Sequence, residues 1–324
     1  MYSQVQLKEI IERAITNLPY NNEAEKLTEP VKYVLSIGGK RLRPLLSLMT
    51  CNLFSDKVDD AVMPSAGIEV FHNFTLVHDD IMDSAPLRRG LPTVHNKWNL
   101  NQAVLSGDVM AFIANECFLQ APSWCMPKVF AIFNRAAVEV CVGQQQDMDF
   151  EKSVTVSEQE YLRMIELKTA VLLAASARIG AVIGGASDKD ADLAYKFGRN
   201  LGMAFQLQDD LLDVYGDTRL FGKVAGGDIV ENKKTFLFIR ASEMASGKQQ
   251  RRLHELFSTG NIEPHAKVQE VIKIYDSLNV REVIDNNVKE YITSAVQVLD
   301  KISVPHERKD ELSALATLLA GRER

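Results

Sequence analysis

The chain has 324 residues, of which 46% are hydrophobic, so it can bury a large core. Its formal net charge is −6, from 37 basic and 43 acidic side chains, which argues against the basic surface that nucleic-acid binding needs. Glycine and proline are sparse, and no Ser/Gly-rich linker interrupts the sequence. We therefore predict a single domain over residues 1–324 and no nucleic-acid partner.

Almost every segment repeats apolar residues at spacings of three and four, which is typical of amphipathic helices, and no alternating strand pattern stands out. The sequence therefore predicts an all-α fold. In chain order, the predicted helices span residues 4–17, 23–36, 45–54, 61–83, 101–120, 128–149, 157–185, 190–215 and 229–245, with further amphipathic helices to residue 324. Loops are predicted at residues 84–92 and 221–228.

A short basic motif, GGKRLRP at residues 38–44, lies between the second and third predicted helices. Its two glycines allow a tight turn, and Lys40, Arg41 and Arg43 follow within four positions. Such a motif is either a solvated turn or an anion site at a helix start, where backbone amides and cations act together. Spacing alone leaves both interpretations open.

Two acidic motifs are the strongest functional signal in the chain. FTLVHDDIMDSAPLRRGLPT, residues 74–93, contains Asp79 and Asp83, and FQLQDDLLD, residues 205–213, contains Asp209 and Asp213. In a helix each pair shares one face, where two like charges oppose helix formation by roughly 0.2–0.5 kcal/mol. One such pair is commonly a solvated face. Two matching pairs, each followed by basic residues, favour shared cations.

The basic residues indicate which kind of substrate would bind together with those metal ions. They are Lys40, Arg41, Arg43, Arg88, Arg89, Lys168, Lys223 and Lys233. These basic side chains and the carboxylates would neutralise each other unless a polyanion and metal ions lay between them. Mg²⁺ binds through one or two carboxylates plus substrate phosphates, and arginine grips phosphate oxygens in pairs. A diphosphate ester is the simplest substrate, and the absence of GxxxxGK[ST] argues against a nucleotide.

Other metals have weaker support. Glu69 and His72 form an ExxH pair, but a di-iron bundle needs two such pairs. No HExxH or Cys/His cluster supports zinc. Lys168 lies within an apolar helix, where a buried lysine needs a partner, so a functional role is favoured over packing.

The cellular location follows from three weaker signals. The four cysteines have no CxxC spacing and are interpreted as reduced core thiols of a reducing compartment. The N-terminus lacks the apolar core of a signal peptide. The longest apolar run, residues 170–186, contains Arg178 and is shorter than the ~20 residues a membrane span needs. We expect a cytoplasmic protein that does not span the membrane.

Taken together, the motifs resemble those of the trans-isoprenyl diphosphate synthases, the polyprenyl synthetase family. The matching segments occur in the family's order: GGKRLRP, HDDIMD at 78–83, RRGLPTVH at 88–95, GQQQDMD at 143–149, Lys168-Thr169, FQLQDDLLD, GKVAGGD at 222–228, and Lys233. One departure is Asn232, where bacterial members often have glycine. The resemblance implies the isoprenoid synthase fold, a helical bundle around a central cavity with the acidic motifs facing across its mouth.

The same resemblance implies a role for each matching residue. Three Mg²⁺ ions are expected, two held by Asp79 and Asp83 and the third by Asp209, with Asp213 acting through water. The residues implied for the allylic diphosphate are Arg88, Lys168, Lys223 and Lys233, and those for isopentenyl diphosphate are Lys40, Arg43, His72 and Arg89. Thr169 and Gln206 would line the cationic carbon and Phe205 the incoming alkene, so the implied catalytic residues are Arg88, Lys168, Thr169 and Gln206.

The implied reaction is head-to-tail prenyl transfer, in which an allylic diphosphate ionises, isopentenyl diphosphate attacks and a proton is lost. Two other hypotheses are a terpene cyclase of the same fold and a non-catalytic partner subunit. The cyclases carry an NSE-type second motif, and such subunits usually lose one acidic motif, whereas both motifs are intact here. The family is usually homodimeric, so a homodimer is expected.

Product length depends on the helix before Asp79. Phe74 lies five residues earlier, about 7.5 Å along the axis at ~1.5 Å per residue. A helical wheel puts Thr75, Phe71 and Phe74 progressively around one flank from Asp79, so the wheel alone does not make Phe74 the floor, and Phe71 is equally interpretable as core. In the family an aromatic residue at this position stops growth at farnesyl or geranylgeranyl length. The motif lacks the insertion of bacterial short-chain enzymes, so we predict geranylgeranyl diphosphate, with farnesyl diphosphate as the close alternative and longer chains less favoured.

Overall fold

Helices form nearly all the regular structure in this computed structural model, which describes residues 1–19, 25–216, 226–258 and 262–321. The helices are α1 Gln4–Thr16, α2 Glu25–Ser36, α3 Leu42–Phe54, α4 Asp59–Met82, α5 Val94–Lys97, α6 Leu100–Phe118, α7 Met126–Lys152, α8 Glu158–Ile165, α9 Val171–Ile183, α10 Asp188–Tyr215, α11 Gly227–Val230, α12 Phe236–Met244, α13 Gly247–Ser258, α14 Pro264–Ser277, α15 Val280–Asp300 and α16 Asp310–Ala320. A π-helix, Glu166–Ala170, and a 3₁₀ turn, His306–Arg308, complete the helical part. The all-α prediction is confirmed.

The described chain divides into two compact units. The first comprises Met1–Ala136, Leu172–Gly198 and Val298–Ser313, and the second comprises Ala137–Val171, Arg199–Gln297 and Ala314–Arg324. In the first unit α4 packs on α3 and α6, burying side chains such as Ile68 and Met110. In the second, Phe236 of α12 and Leu207 of α10 are fully buried. Whether the chain behaves as one domain stays a prediction.

Three parts of the chain differ from the helices predicted by periodicity. The predicted helix 157–185 is α8, the π-helix and α9 in succession, with Lys168 and Thr169 inside the π-helix. The predicted helix 229–245 is interrupted between α11 and α12, because Asn232 takes a left-handed φ of 61°. The predicted loop 84–92 contains two antiparallel two-residue strands, β1 Leu87–Arg88 and β2 Leu91–Pro92.

The predicted loop 221–228 lies mostly outside the described residues, and with it Lys223. Among the helices that are described, none has both the length and the apolar character required to cross a membrane.

Candidate active site

The first acidic motif forms the last turn of α4. Asp79 and Asp83 follow each other on one face, and the Asp83 amide donates to the Asp79 carbonyl at 2.8 Å. The Asp79 side chain is 18% exposed and Asp83 is exposed, so both carboxylates are accessible from solvent. Asp80, between them, is buried. The motif therefore offers two aspartates outward and one inward.

Asp80 is held by Arg88 of the β1 strand. The Arg88 Nε atom donates to both carboxylate oxygens, at 2.8 and 3.0 Å, and Nη2 lies 2.7 Å from Oδ1. Burial raises the pKa of Asp80, and the hydrogen bonds and charge of Arg88 oppose that shift. Arg88 Nη2 also lies 3.7 Å from Asp79 Oδ2. The structure thus fixes the predicted substrate-binding guanidinium beside the first predicted metal ligand.

The glycine turn of GGKRLRP supports the second arginine of the hairpin. Arg89 has a left-handed φ of 53°, and its Nη1 donates to the Gly38 carbonyl. A Cβ atom at Gly39 would lie 2.9 Å from Arg89 Nη1, and Gly39 itself has a φ of 148°, which favours glycine. Burial lowers the pKa of Arg89. Gly39 is therefore needed to make room for the Arg89 guanidinium, and both glycines allow the turn of the chain.

Within the same basic motif, Arg41 has a structural role. Its side chain is buried and pairs with Glu69 at 2.8 Å and Glu12 at 3.2 Å, and it donates to the Leu35 carbonyl at 2.6 Å. Glu69, the first residue of the ExxH pair, is therefore the partner of a guanidinium. Because a lone buried charge is very costly, this pair is required for the motif to fold.

Arg43 and His72 form a further polar contact in this region. Arg43 Nη1 donates to His72 Nε2 at 3.0 Å, so that imidazole nitrogen is an acceptor. Burial, and then the charges of Arg43 and Arg89, lower the pKa of His72 well below its ordinary value. His72 is therefore a neutral imidazole. Of the four residues predicted for isopentenyl diphosphate, the structure pairs these two, seats Arg89 on the glycine turn and exposes Lys40.

In the second unit, the π-helix places Lys168 against α7. Lys168 Nζ pairs with Asp147 Oδ2 at 2.6 Å, so its partner is the first aspartate of GQQQDMD. The backbones meet closely here, since a Cβ atom at Gly143 would lie 2.3 Å from the Lys168 amide nitrogen. π-Helical turns are often found at functional sites because they change which side chains face a given direction.

A chain of hydrogen bonds joins Thr169 to the second acidic motif. Thr169 Oγ1 donates to Gln206 Oε1 at 2.8 Å, and Gln206 Nε2 donates to Asp210 Oδ1 at 3.0 Å. The Tyr161 hydroxyl donates to Asp210 Oδ2 at 2.6 Å. Burial raises the pKa of Asp210 well above its ordinary value, and the Tyr161 hydrogen bond opposes that rise. Asp209, by contrast, is exposed.

Asp213 is tied to the turn that precedes α11. It accepts from the Asp228 amide at 3.0 Å through Oδ2, and its own carbonyl accepts from the Gly226 amide at 2.7 Å. The Lys233 amide donates in turn to the Asp228 carbonyl at 2.9 Å. This turn therefore carries Lys233 on the same backbone segment that holds the last aspartate of the motif.

A buried lysine stabilises that turn. Lys267 Nζ donates to the Ile229 carbonyl and to Asn232 Oδ1, both at 2.5 Å. The left-handed backbone at Asn232 favours glycine, in keeping with the glycine that bacterial members often have there. Here the asparagine side chain provides an acceptor for Lys267 instead. Sequence reasoning missed Lys267, because nothing in its own segment indicates which residues it reaches.

Described residues of the second unit line a cavity. Its lining includes Asp147, Lys168, Thr169, Gln206, Asp228 and Lys233. Four of these, Lys168, Thr169, Gln206 and Lys233, were predicted site residues. The other two, Asp228 and Asp147, belong to the motifs GKVAGGD and GQQQDMD. The structure therefore brings Lys168, Thr169, Gln206 and Lys233 together around a cavity that is also lined by carboxylates.

The predicted chain-length residues lie on α4. Phe74 is half-buried, with its ring centroid 4.8 Å from His78 and 5.4 Å from Phe71. Phe71 is buried and packs edge-on against Phe133 at 5.2 Å, so it is a core residue. The Thr75 hydroxyl donates to the His72 carbonyl at 2.7 Å. Phe74 is thus the more accessible of the two aromatic rings, supported from behind by Phe71.

The accessible carboxylates suit magnesium. Each motif presents two aspartates one helical turn apart, and oxygen donors with room for water are what Mg²⁺ takes. Within the described ranges, no cluster of three or more His, Cys, Asp or Glu side chains could hold a metal ion. The donor set therefore fits an ion bound by one or two carboxylates, with water and substrate phosphates completing the shell.

Comparison with known proteins identifies the class of enzyme. The sequence model of the polyprenyl synthetase family matches residues 24–275. The chain is 41% identical over 293 residues to the geranylgeranyl diphosphate synthase of Sulfolobus acidocaldarius, covering 88% of each chain. It is 37% identical over 254 residues to a geranylfarnesyl diphosphate synthase of Natronomonas pharaonis, covering 73% of this chain and 74% of the relative. A crystal structure of a geranylgeranyl pyrophosphate synthase superposes with a TM-score of 0.95 at 39% identity, covering 100% of both chains.

The protein is a prenyltransferase with the all-α isoprenoid synthase fold. The chain belongs to the polyprenyl synthetase family, as its motifs predicted. Enzymes of this family generally use Mg²⁺ and act on isoprenoid diphosphates.

The contact between Gly39 and Arg89 generates a prediction. Gly39→Ala should displace the Arg89 guanidinium, which is predicted to bind isopentenyl diphosphate, and lower kcat/KM for that substrate at least about tenfold, since a charged hydrogen bond contributes roughly 1.5–3 kcal/mol. Gly38→Ala is the matched control, because it strains the same turn but its Cβ atom would have no neighbour within 4 Å. Steady-state kinetics and thermal denaturation of both variants test this. Equal losses from the two would mean that strain, and not the seat of Arg89, matters.

Proposed function

We propose that this enzyme condenses isopentenyl diphosphate with allylic diphosphates and that its main product is geranylgeranyl diphosphate. The observation that carries the chain length is Phe74, half-buried five residues before Asp79 and supported by Phe71 and His78. In this family an aromatic residue at that position tends to stop growth at farnesyl or geranylgeranyl length, so Phe74 would act as the stop. The similarity to geranylgeranyl diphosphate synthases supports the same length.

The metal ions are proposed to be three Mg²⁺. Asp79 and Asp83 would hold two, and Asp209, with Asp213 through water, would hold the third. This assignment uses the aspartates at positions one and five of each DDxxD motif and leaves the buried Asp80 and Asp210 to their protein partners. When bound, the ions supply positive charge that stabilises a departing diphosphate.

The two diphosphates are assigned to different basic residues. For the allylic diphosphate these are Arg88, Lys168, Lys233 and Lys223, the last outside the described residues, and for isopentenyl diphosphate they are Lys40, Arg43, His72 and Arg89. His72 supports this indirectly, because its neutral ring accepts from Arg43 and thereby orients that guanidinium. Arginine and lysine here act as fixed donors to phosphate oxygens.

The reaction follows from these charges. The bond between C1 and the diphosphate oxygen of the allylic substrate breaks, and the cationic side chains stabilise the leaving group. The double bond of isopentenyl diphosphate then forms a new bond to C1, next to Phe205, while the Thr169 and Gln206 oxygens face the cationic carbon. A proton is lost to the departing diphosphate, which regenerates a double bond. Apolar walls exclude the water that would quench the cation.

One assay tests the proposed function. The purified enzyme with Mg²⁺, isopentenyl diphosphate and farnesyl, geranyl or dimethylallyl diphosphate should yield a C20 diphosphate by chromatography, and chelation of Mg²⁺ should abolish turnover. Asp79→Ala and Asp209→Ala should each lower kcat by orders of magnitude without loss of stability, since removing a carboxylate relieves repulsion of like charges. Near-normal turnover of either variant would contradict the metal assignment.

Geranylfarnesyl diphosphate is the second candidate product, because one relative at 37% identity carries that name. Farnesyl diphosphate is the shorter alternative that an aromatic residue at position 74 also allows. A terpene cyclase or a non-catalytic subunit has less support, since both acidic motifs carry all their aspartates. The same chromatogram separates C15, C20 and C25 products.

The role of Phe74 can be tested directly. Phe74→Ala should open the end of the chain-binding space and lengthen the main product by at least one isoprene unit. Phe54→Ala, which removes another half-buried ring from the first unit, should leave product length unchanged. Products of both variants are sized after dephosphorylation. An unaltered C20 product from Phe74→Ala would remove the argument for this ring as the stop.

We further propose that the enzyme is a homodimer and works in the cytoplasm. Leu105, Phe112 and Leu119 recur every seven residues along and just past α6 and are 55%, 67% and 59% exposed, which forms an apolar stripe suited to the same stripe of a second copy. Phe112→Glu should convert the dimer to a monomer in analytical ultracentrifugation. Leu318→Glu, a control at a 62% exposed leucine on α16, should not. A wild-type monomer would contradict this proposal.

A further inference from the structure

Asp210, the second aspartate of its motif, has both carboxyl oxygens engaged. Tyr161 donates to Oδ2 at 2.6 Å and Gln206 donates to Oδ1 at 3.0 Å. Gln206 offers its N–H₂ group to Oδ1 and its carbonyl oxygen to the Thr169 hydroxyl. The amide of Gln206 is thereby fixed in one of its two possible orientations.

That orientation determines what Thr169 can do. With its nitrogen turned to Asp210, Gln206 presents its carbonyl oxygen to Thr169, which donates its hydroxyl proton at 2.8 Å. A threonine hydroxyl has one proton and two lone pairs. With the proton directed at Gln206, the lone pairs of Thr169 are what remains for the cavity that both residues line.

The position of Tyr161 is restricted by its surroundings. It lies on α8 with a nearly buried ring stacked on Phe236, at 6.1 Å between ring centroids. α8 begins at a capping box between Ser157 and Glu160, which fixes the start of the helix. Thr169 follows in the π-helix directly after α8. The donor at one end of the network and the hydroxyl at the other are therefore on one continuous helical segment.

We propose that Tyr161 and Asp210 are positioning residues for the chemical step. They set the direction of the Tyr161–Asp210–Gln206–Thr169 network, so that Thr169 turns an oxygen lone pair, and not a proton, towards the reacting allylic carbon. An electron-rich oxygen stabilises the developing carbocation, whereas a proton at the same place would repel it. This inference rests on the proposed function, which assigns Thr169 and Gln206 to that carbon.

A network with a purely structural role would affect the kinetics differently from one with a positioning role. Buried hydrogen bonds stabilise a fold wherever they lie, so a loss of Tyr161 would then lower stability and all kinetic constants alike. A positioning role instead lowers the rate of the chemical step at saturating substrates and leaves both KM values unchanged. If Tyr161 acts through Thr169, its effect on this rate also disappears once the Thr169 hydroxyl has been removed.

The first experiment measures single-turnover rates of Tyr161→Phe, because product release can limit kcat. We expect about a tenfold fall with unchanged KM for both substrates, equivalent to about 1.4 kcal/mol. Tyr275→Phe is the matched control, since Tyr275 is also buried and its hydroxyl takes no part in the hydrogen bonds to Asp210. It should lose no rate. An undiminished rate for Tyr161→Phe, or equal losses from both variants, would overturn the inference.

The second experiment is a double-mutant cycle with Thr169→Val. This variant alone should slow the chemical step, and adding Tyr161→Phe to it should slow it no further. A full additional tenfold loss would show that Tyr161 acts independently of Thr169. If the wild-type enzyme forms product but Thr169→Val is not slowed, the inference fails while the proposed function stands. If the wild-type enzyme forms no prenyl product, the proposed function itself fails.

Asp210→Asn provides a test that does not depend on the tyrosine. The asparagine amide can donate to Gln206 Oε1. The side-chain amide of Gln206 can then rotate by about 180°, which reverses the direction of the hydrogen bonds in the network. We expect at least a tenfold slower single turnover, with the half-saturating Mg²⁺ concentration unchanged. A wild-type single-turnover rate in Asp210→Asn would contradict the proposed polarity.

Discussion

In each acidic motif the second aspartate turns inward and is held by a neighbour, and the rest of the site depends on this. Asp80 is held by Arg88 and Asp210 by Tyr161 and Gln206. A buried carboxylate without such partners would be strongly destabilising. The aspartates at positions one and five of each motif are left less buried than the second one. Three neighbouring carboxylates are thereby divided into two potential ligands and one structural anchor.

The same division occurs among the cations of the basic motif. Arg41 is buried against Glu69, whereas Lys40 is exposed and Arg43 contacts His72. Lys40 and Arg43, which are proposed to bind substrate, thus flank Arg41, which stabilises the fold. This arrangement allows a chain rich in like charges to fold without its substrates, because the inward members are already compensated. It also explains why substitutions at adjacent motif positions should have different consequences.

Much of this could be predicted from the sequence, because the helical period and the spacing of the motifs are local features. The π-helix at Lys168 and the break at Asn232 could not, since an apolar period near 3.6 does not reveal one extra residue in a turn or a left-handed backbone. The hairpin strands are two residues long and too short for alternation. Asp147 could have been found within GQQQDMD. Tyr161 gave no signal, because its partner lies 49 positions away in sequence.

The division of roles within a motif can be measured most directly as Mg²⁺ dependence. Activity is titrated with Mg²⁺ for Asp79→Asn and Asp80→Asn, at saturating substrates, with thermal stability recorded in parallel. We predict that Asp79→Asn raises the half-saturating Mg²⁺ concentration and keeps its melting temperature, whereas Asp80→Asn lowers the melting temperature and keeps the Mg²⁺ requirement. An equal rise in the Mg²⁺ requirement for both variants would contradict the assignment of Asp80 as a structural anchor.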